Sequence, residues 1–206
     1  MNKTVIATAF SILVSLLSFN INAQTQQPFT VVIDAGHGGK DNGAQSGGIN
    51  EKDLTLAISK KIDALNKDEN IHLIFTRSED QFTTLDQRVD GSSVTDLMIS
   101  LHISISDKNI SGMEIYYPRD GEFSRTSKQF GYILSQSFTD YEIKINSLKM
   151  EPANYFVLRN ANCPAVLVEL GFLNNESDVA YLTDEDNQEE VALAILQSIE
   201  SMIPEK

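Results

Sequence analysis

After an apolar leader, the chain alternates short apolar runs with amphipathic segments. Residues 29–34 (FTVVID) are mostly apolar and β-branched, which predicts a buried strand. The same reading predicts strands at 71–75, 96–101 (DLMISL), 113–117, 155–158 and 165–168. Over 51–66, Leu54, Ile58, Ile62 and Leu65 recur at helical spacing, with Asn50 as an N-cap and Asp53 placed to complete a capping box. Residues 126–138 read as a second helix. Residues 187–202 read as a closing helix with Val191, Ile195, Ile199 and Met202 on one face. Strands alternating with helices predict an α/β fold, a single domain with a mostly parallel twisted sheet and helices on both faces.

The leader itself, residues 1–23, has Lys3 at its start, an apolar core over 5–17 and a small residue, Ala23, at its end. That is the three-part pattern of a secretory signal peptide. Its core falls short of the roughly 20 residues that span a bilayer; an uncleaved anchor helix is the alternative. Cleavage after Ala23 would leave 183 residues with a net charge of −14, a short linker at 24–28 and one domain at 29–206. No later apolar run approaches membrane length. The expectation is an exported protein without a membrane span in its mature form. It would act in the periplasm or cell envelope, or be secreted from a cell with one membrane.

Composition narrows the classes. With 41% apolar and 22% charged residues, wholesale disorder is excluded. Sixteen basic against 29 acidic residues supply no general basic face for phosphates, so no nucleic-acid partner is expected. The single cysteine, Cys163, excludes a disulfide framework and a multi-thiolate metal site, and reads as a small buried hydrophobe. His72 lies in a strand without partner signals and reads as structural. The acidic run at 184–190 reads as a solvated loop with helix N-terminal acids.

Chemistry gathers at one predicted edge. Open parallel sheets bind ligands outside the carboxyl ends of their strands. The first strand leads within three residues to His37, DLMISL leads into His102, and AVLV at 165–168 leads into Glu169. Glu51 begins the first helix, after a loop at 35–50 with six glycines that can fold it back towards His37. Two imidazoles and a carboxylate form a catalytic zinc set that keeps an open position for water, and Glu169 could serve as general base on that water. Plainer readings stand beside this. Either histidine could be a satisfied loop residue, and Glu51 could simply favour the positive end of its helix. Glu169 is harder to dismiss, because a carboxylate beside four apolar strand residues is costly unless something charged meets it. The chain has no G-x-S-x-G elbow, no phosphate loop ending in Gly-Lys-Ser/Thr and no H-E-x-x-H motif.

The segment VVIDAGHGGKDNGAQSGGINEKDLTLA (31–57) resembles the opening of the zinc-dependent N-acetylmuramoyl-L-alanine amidases. The likeness continues through FTRSED at 75–80, Leu85 with Arg88, DLMISLH at 96–102, SGMEIYY at 111–117 and YFVLRNANCPAVLVELGFLNN at 155–175. The resemblance implies Zn2+ held by His37, Glu51 and His102, with Glu169 as the catalytic acid–base residue. It implies peptidoglycan as partner and hydrolysis of the amide between N-acetylmuramic acid and L-alanine. An inactive peptidoglycan binder and a zinc peptidase cutting within the stem peptide are the rival readings. Asp34 is expected either to orient a ligand imidazole or to form a turn. Arg77 and Arg88 are expected to meet anionic wall groups or to form structural ion pairs. The chain departs from the family pattern at Ser104, where an asparagine is usual, and lacks the usual Asn after Arg88. The 37 residues between Tyr117 and Tyr155 leave little room for an inhibitory insert, so no obligatory activator is expected.

Overall fold

The computed structural model describes residues 27–108, 110–141, 143 and 147–203; the expected signal peptide lies outside them. In chain order the elements begin β1 (Phe29–Ala35), β2 (Gln45–Ser46), β3 (Ile49–Asn50), α1 (Glu51–Leu65), β4 (Ile71–Phe75) and α2 (Leu85–Asp90). A short 3-10 turn (Gly91–Val94) leads to β5 (Leu97–Ser104), β6 (Met113–Pro118), α3 (Ser124–Asp140) and β7 (Leu148–Ala153). The chain closes with α4 (Phe156–Asn160), β8 (Ala165–Phe172), α5 (Glu176–Leu182) and α6 (Glu185–Glu200).

Six strands form one sheet in the order β4-β1-β5-β8-β6-β7. The first four run parallel; β6 lies antiparallel to β8 and carries β7 parallel to itself. The α/β expectation therefore holds, with a reversed pair at one side of the sheet.

Strand alternation assigns the two faces. Val31 and Ile33 of β1, Leu97, Ile99 and Leu101 of β5, and Val166 and Val168 of β8 pack under α1, α3 and α6 in the larger core. Val32, Met98, Ala165 and Leu167 point the other way, into a smaller cluster closed by Val89 of α2 and by Val157 and Leu158 of α4. Long helices seal one face; short ones cover the other incompletely. On that second face the side-chain row becomes polar towards the carboxyl edge. Val32 is followed by Asp34, Met98 by Ser100 and His102, and Leu167 by Glu169, each two residues on.

Several expectations are corrected. Residues 155–158 are not a strand. Tyr155 precedes α4, whose backbone bonds run Arg159 to Tyr155 and Ala161 to Val157. The run is apolar because Val157 and Leu158 pack on the sheet while Tyr155 and Phe156 face a cleft. The strand in this region is β7, where Lys149, Glu151 and Pro152 hide the pattern; Pro152 is tolerated because β7 is an edge. Asn50 precedes α1 but makes no side-chain cap, and its amide donates to Asp53 instead, 2.8 Å away. Loop carbonyls of Ala44 and Asn42 already take the N–H groups of Glu51 and Lys52. A full capping box occurs at α2, between Thr84 and Gln87. The stretch between Tyr117 and Tyr155 is occupied largely by α3 and β7. The acidic run expected as a solvated loop is instead the start of α6: Asp184 caps the helix and residues 185–190 lie within it, with Glu185 and Asp186 as the expected N-terminal acids.

Candidate metal centre and catalytic cleft

His37, Glu51 and His102 offer ligand atoms that all lie within 4.8 Å of one another. Glu51 joins them. Its Oε2 is 3.1 Å from His37 Nε2 and its Oε1 is 2.7 Å from His102 Nδ1. Backbone N–H groups of Ala44 and Ile103 also donate to these oxygens, at 2.8 and 3.0 Å. Burial raises the proton affinity of Glu51, but the two imidazoles outweigh it and hold the carboxyl well below its usual range. Burial likewise opposes protonation of His37, while Glu51 and Asp41 push its pKa to about 8. Asp41 reaches the far nitrogen of His37, Nδ1, at 2.9 Å. A carboxylate behind a histidine is the arrangement that fixes ring orientation at zinc sites.

The loop fits this set closely. His37 has a positive φ of 59°, uncommon for a residue with a side chain. A Cβ on Gly36 would come within 2.5 Å of the His102 ring. One on Gly43, also at positive φ, would enter the Glu51 carboxylate and the His37 ring. Glycine is required at both positions because backbone passes directly against the His37, Glu51 and His102 side chains.

Two buried arginines hold this loop from behind. Arg77 donates to the carbonyls of Ala35 and Gly36 at 2.9 Å each. Arg88 donates to the carbonyls of Ala35 and His37 at 2.8 Å each, and its Nη1 meets Asp34 at 2.7 Å. Asp34 therefore does not orient an imidazole. Its carboxylate accepts from Arg88, from Ser100 and from Thr76. Burial pushes its pKa up, yet Arg88 and the two hydroxyls hold it below the usual value. Arg88 forms the buried ion pair that was one expectation for it, whereas Arg77 forms no ion pair among the described residues and instead holds loop carbonyls.

Glu169 shows the opposite environment. It pairs across the sheet with His102 on β5 and with Glu114 on β6. Its Oε2 is buried with no hydrogen-bond partner among the described residues. Burial pushes its pKa up to about 7, with Glu51 and Glu114 acting the same way against the pull of His102. The carboxyl opens on a cleft of about 480 Å³ that also reaches His37 and His102. Phe82, Leu85 and Tyr155 line the cleft and remain exposed, at 45, 52 and 41%.

Of the four residues expected at this edge, His37, His102 and Glu169 line one cleft, and Glu51 lies buried behind the two histidines. His102 and Glu169 lie inside longer strands than expected, just before a register shift after which Ser104, two residues on, pairs with Phe172, three residues on. The Ser104 carbonyl accepts from Leu173 at 2.9 Å. Sequence reasoning missed Asp41, four residues after His37; its spacing was visible, but the turn that aims it was not. His72 lies on β4, outside the site, and Cys163 is buried.

The family model described as N-acetylmuramoyl-L-alanine amidase matches residues 31–201. The chain belongs to this amidase family. Among relatives, the uncharacterised protein YqiI of Bacillus subtilis is 36% identical over 87% of this amidase and 88% of its own length. The probable cell wall amidase LytH of Staphylococcus epidermidis is 32% identical over 82% of this chain, which spans only 57% of that protein. Among solved structures, the catalytic domain of the Bacillus (Paenibacillus) polymyxa amidase CwlV superposes with a TM-score of 0.77 at 34% identity, covering 84% of this chain and 96% of that one. An N-acetylmuramoyl-L-alanine amidase of Clostridium difficile 630 gives 0.80 at 31% identity, covering 85% and 97%. The fold and hydrolase class of this amidase are those of its family.

Proposed function

We propose that the chain is a zinc-dependent N-acetylmuramoyl-L-alanine amidase acting on peptidoglycan, with His37, Glu51 and His102 holding the metal and Glu169 as the acid–base residue. One observation carries the reading: two imidazoles and a carboxylate converge beside a second carboxyl, Glu169, that keeps a buried oxygen with no hydrogen-bond partner among the described residues and lines an open cleft. The donor set suits Zn2+, two imidazole nitrogens and one carboxylate oxygen, with Asp41 behind one ring. Zinc in such a set polarises a carbonyl and lowers the pKa of a bound water towards 7. Glu169 takes a proton at its free oxygen and returns it to the leaving amine, a task suited to a carboxyl held near neutral pKa. The apolar walls limit water around the reacting amide, while Arg77 and Arg88 keep the His37 loop rigid. Residues 1–23 act as an export signal and 29–206 as the catalytic unit, working in the cell envelope without an obligatory activator.

Mass spectrometry of purified peptidoglycan digested by the protein tests the reading. Stem peptides beginning at L-alanine are expected, and they disappear with a chelator or with Glu169→Gln. Cuts within the stem would assign a peptidase instead. Zinc bound with no cut at all would assign a binding protein.

A further inference from the structure

The two walls of the cleft differ in charge. On the wall carrying the His37 loop, Phe82 is exposed and the Lys40 ammonium sits 4.5 Å from its ring centroid. A cation at that distance over an aromatic face is held there by the ring quadrupole. Gly39 packs so closely on Phe82 that a Cβ would come within 2.6 Å of the Phe82 nitrogen, so this rim is fixed to the metal loop. The nearby acids are engaged elsewhere. Asp41 is turned to His37, and Asp80 accepts from Gly39 N and Lys52. Lys40 forms no ion pair among the described residues, and its side chain is exposed.

The opposite wall is neutral to anionic. Tyr155 stacks edge-on against Tyr116 at 5.2 Å, and the Tyr116 hydroxyl donates to Glu114. Glu114 is neutralised by Lys149 at 3.0 Å, leaving the Glu169 carboxyl facing the cleft.

A peptidoglycan substrate has the same asymmetry. Once its lactyl carboxyl is tied up as an amide, the glycan is uncharged, whereas the stem peptide carries free carboxylates. We propose that Lys40, seated on Phe82, is a specificity residue that binds a stem-peptide carboxylate, so that the stem lies over the Phe82 wall and the glycan lies against Tyr155. This rests on the amidase reading above. Lys40 is three residues from His37. An extended stem advances roughly 3.3–3.6 Å per residue. The free carboxylate nearest the reacting amide is the one on the second stem residue, and it is the group assigned to Lys40 beside the cleft-lining Phe82.

The test uses two soluble muropeptides that differ only at the second stem residue, one with its α-carboxylate free and one with it amidated. Steady-state kcat and KM are measured for the full-length wild type, Lys40→Gln and Lys40→Arg, with zinc content as a control. The wild type should prefer the free carboxylate about fivefold, the size of an exposed charge pair, mainly through KM, and less so at high salt. Lys40→Gln should erase that ratio, and Lys40→Arg should keep it. Equal losses on both substrates with Lys40→Gln, or no preference in the wild type, would overturn the assignment while leaving the amidase reading intact. A wild type that releases no stem peptide from either substrate would remove both.

Discussion

Glu51 and Glu169 are carboxylates in the same small volume, and their surroundings could hardly differ more. Glu51 is braced by two imidazoles and two backbone N–H groups. Glu169 keeps a buried oxygen with no hydrogen-bond partner among the described residues. The first environment holds a negative charge permanently, as a metal ligand must. The second raises the cost of that charge until the proton comes and goes near neutrality. Pairs of titratable groups whose surroundings push their proton affinities apart divide the labour of catalysis between them. Here the division follows the scaffold. Glu51 is met by a glycine-rich loop wrapped around it, whereas Glu169 stands on a central strand between apolar chain neighbours, with His102 and Glu114 beside it on the adjacent strands.

The largest expected effect comes from breaking the braced side. Glu51→Ala removes the group that joins both imidazoles; zinc should be lost on dialysis and activity should fall more than about 10³-fold. Retained stoichiometric zinc, read by elemental analysis, would contradict the ligand assignment. Next is the unbraced side. Glu169→Gln should lower kcat by about 10²–10⁴-fold while zinc content holds. Because one buried oxygen of the wild-type carboxyl has no hydrogen-bond partner among the described residues, the variant should be at least as stable in urea unfolding. A marked loss of stability would mean that Glu169 is structural after all.

Asp41→Ala sharpens the contrast by weakening one brace without removing a ligand. Zinc affinity should fall about 10–100-fold, measured by competition with a chromogenic chelator, with a smaller change in kcat at saturating zinc. The smallest effect concerns acid. The folded-state pKa of Asp34 lies below the ordinary 3.8. Its contribution to stability is therefore present above about 3.8 and is lost as pH falls through the lower folded value. Unfolding followed from pH 5 downward, through 3.8 and below, should show that loss, and Asp34→Asn should flatten the part of the slope below 3.8.

Much of this was legible in the chain. FTVVID, DLMISL and AVLV are apolar because their strands are covered on both faces, and such runs announce themselves. The residues just beyond them, His37, His102 and Glu169, could be assigned to one edge because parallel strands end together. What stayed hidden depended on contacts far apart in sequence. Asp34 looked able to serve an imidazole, but Arg88 from α2 and Ser100 from β5 claim it. YFVL carries strand-like residues yet forms α4, because it packs against the sheet rather than within it. LKMEPA carries no strand pattern and no element is expected there, yet it forms β7, because an edge strand needs only one partner and tolerates charge and proline.

The left-handed backbone at His37 has a consequence for anyone who would re-engineer this scaffold. Judged by conformational energy alone, glycine or asparagine suits that position better than histidine. Selection for thermostability with no check on turnover would drift towards those replacements. The resulting protein would keep its fold and lose one imidazole of the proposed zinc set, so the strained turn at His37 is a place where stability and the proposed chemistry pull in opposite directions.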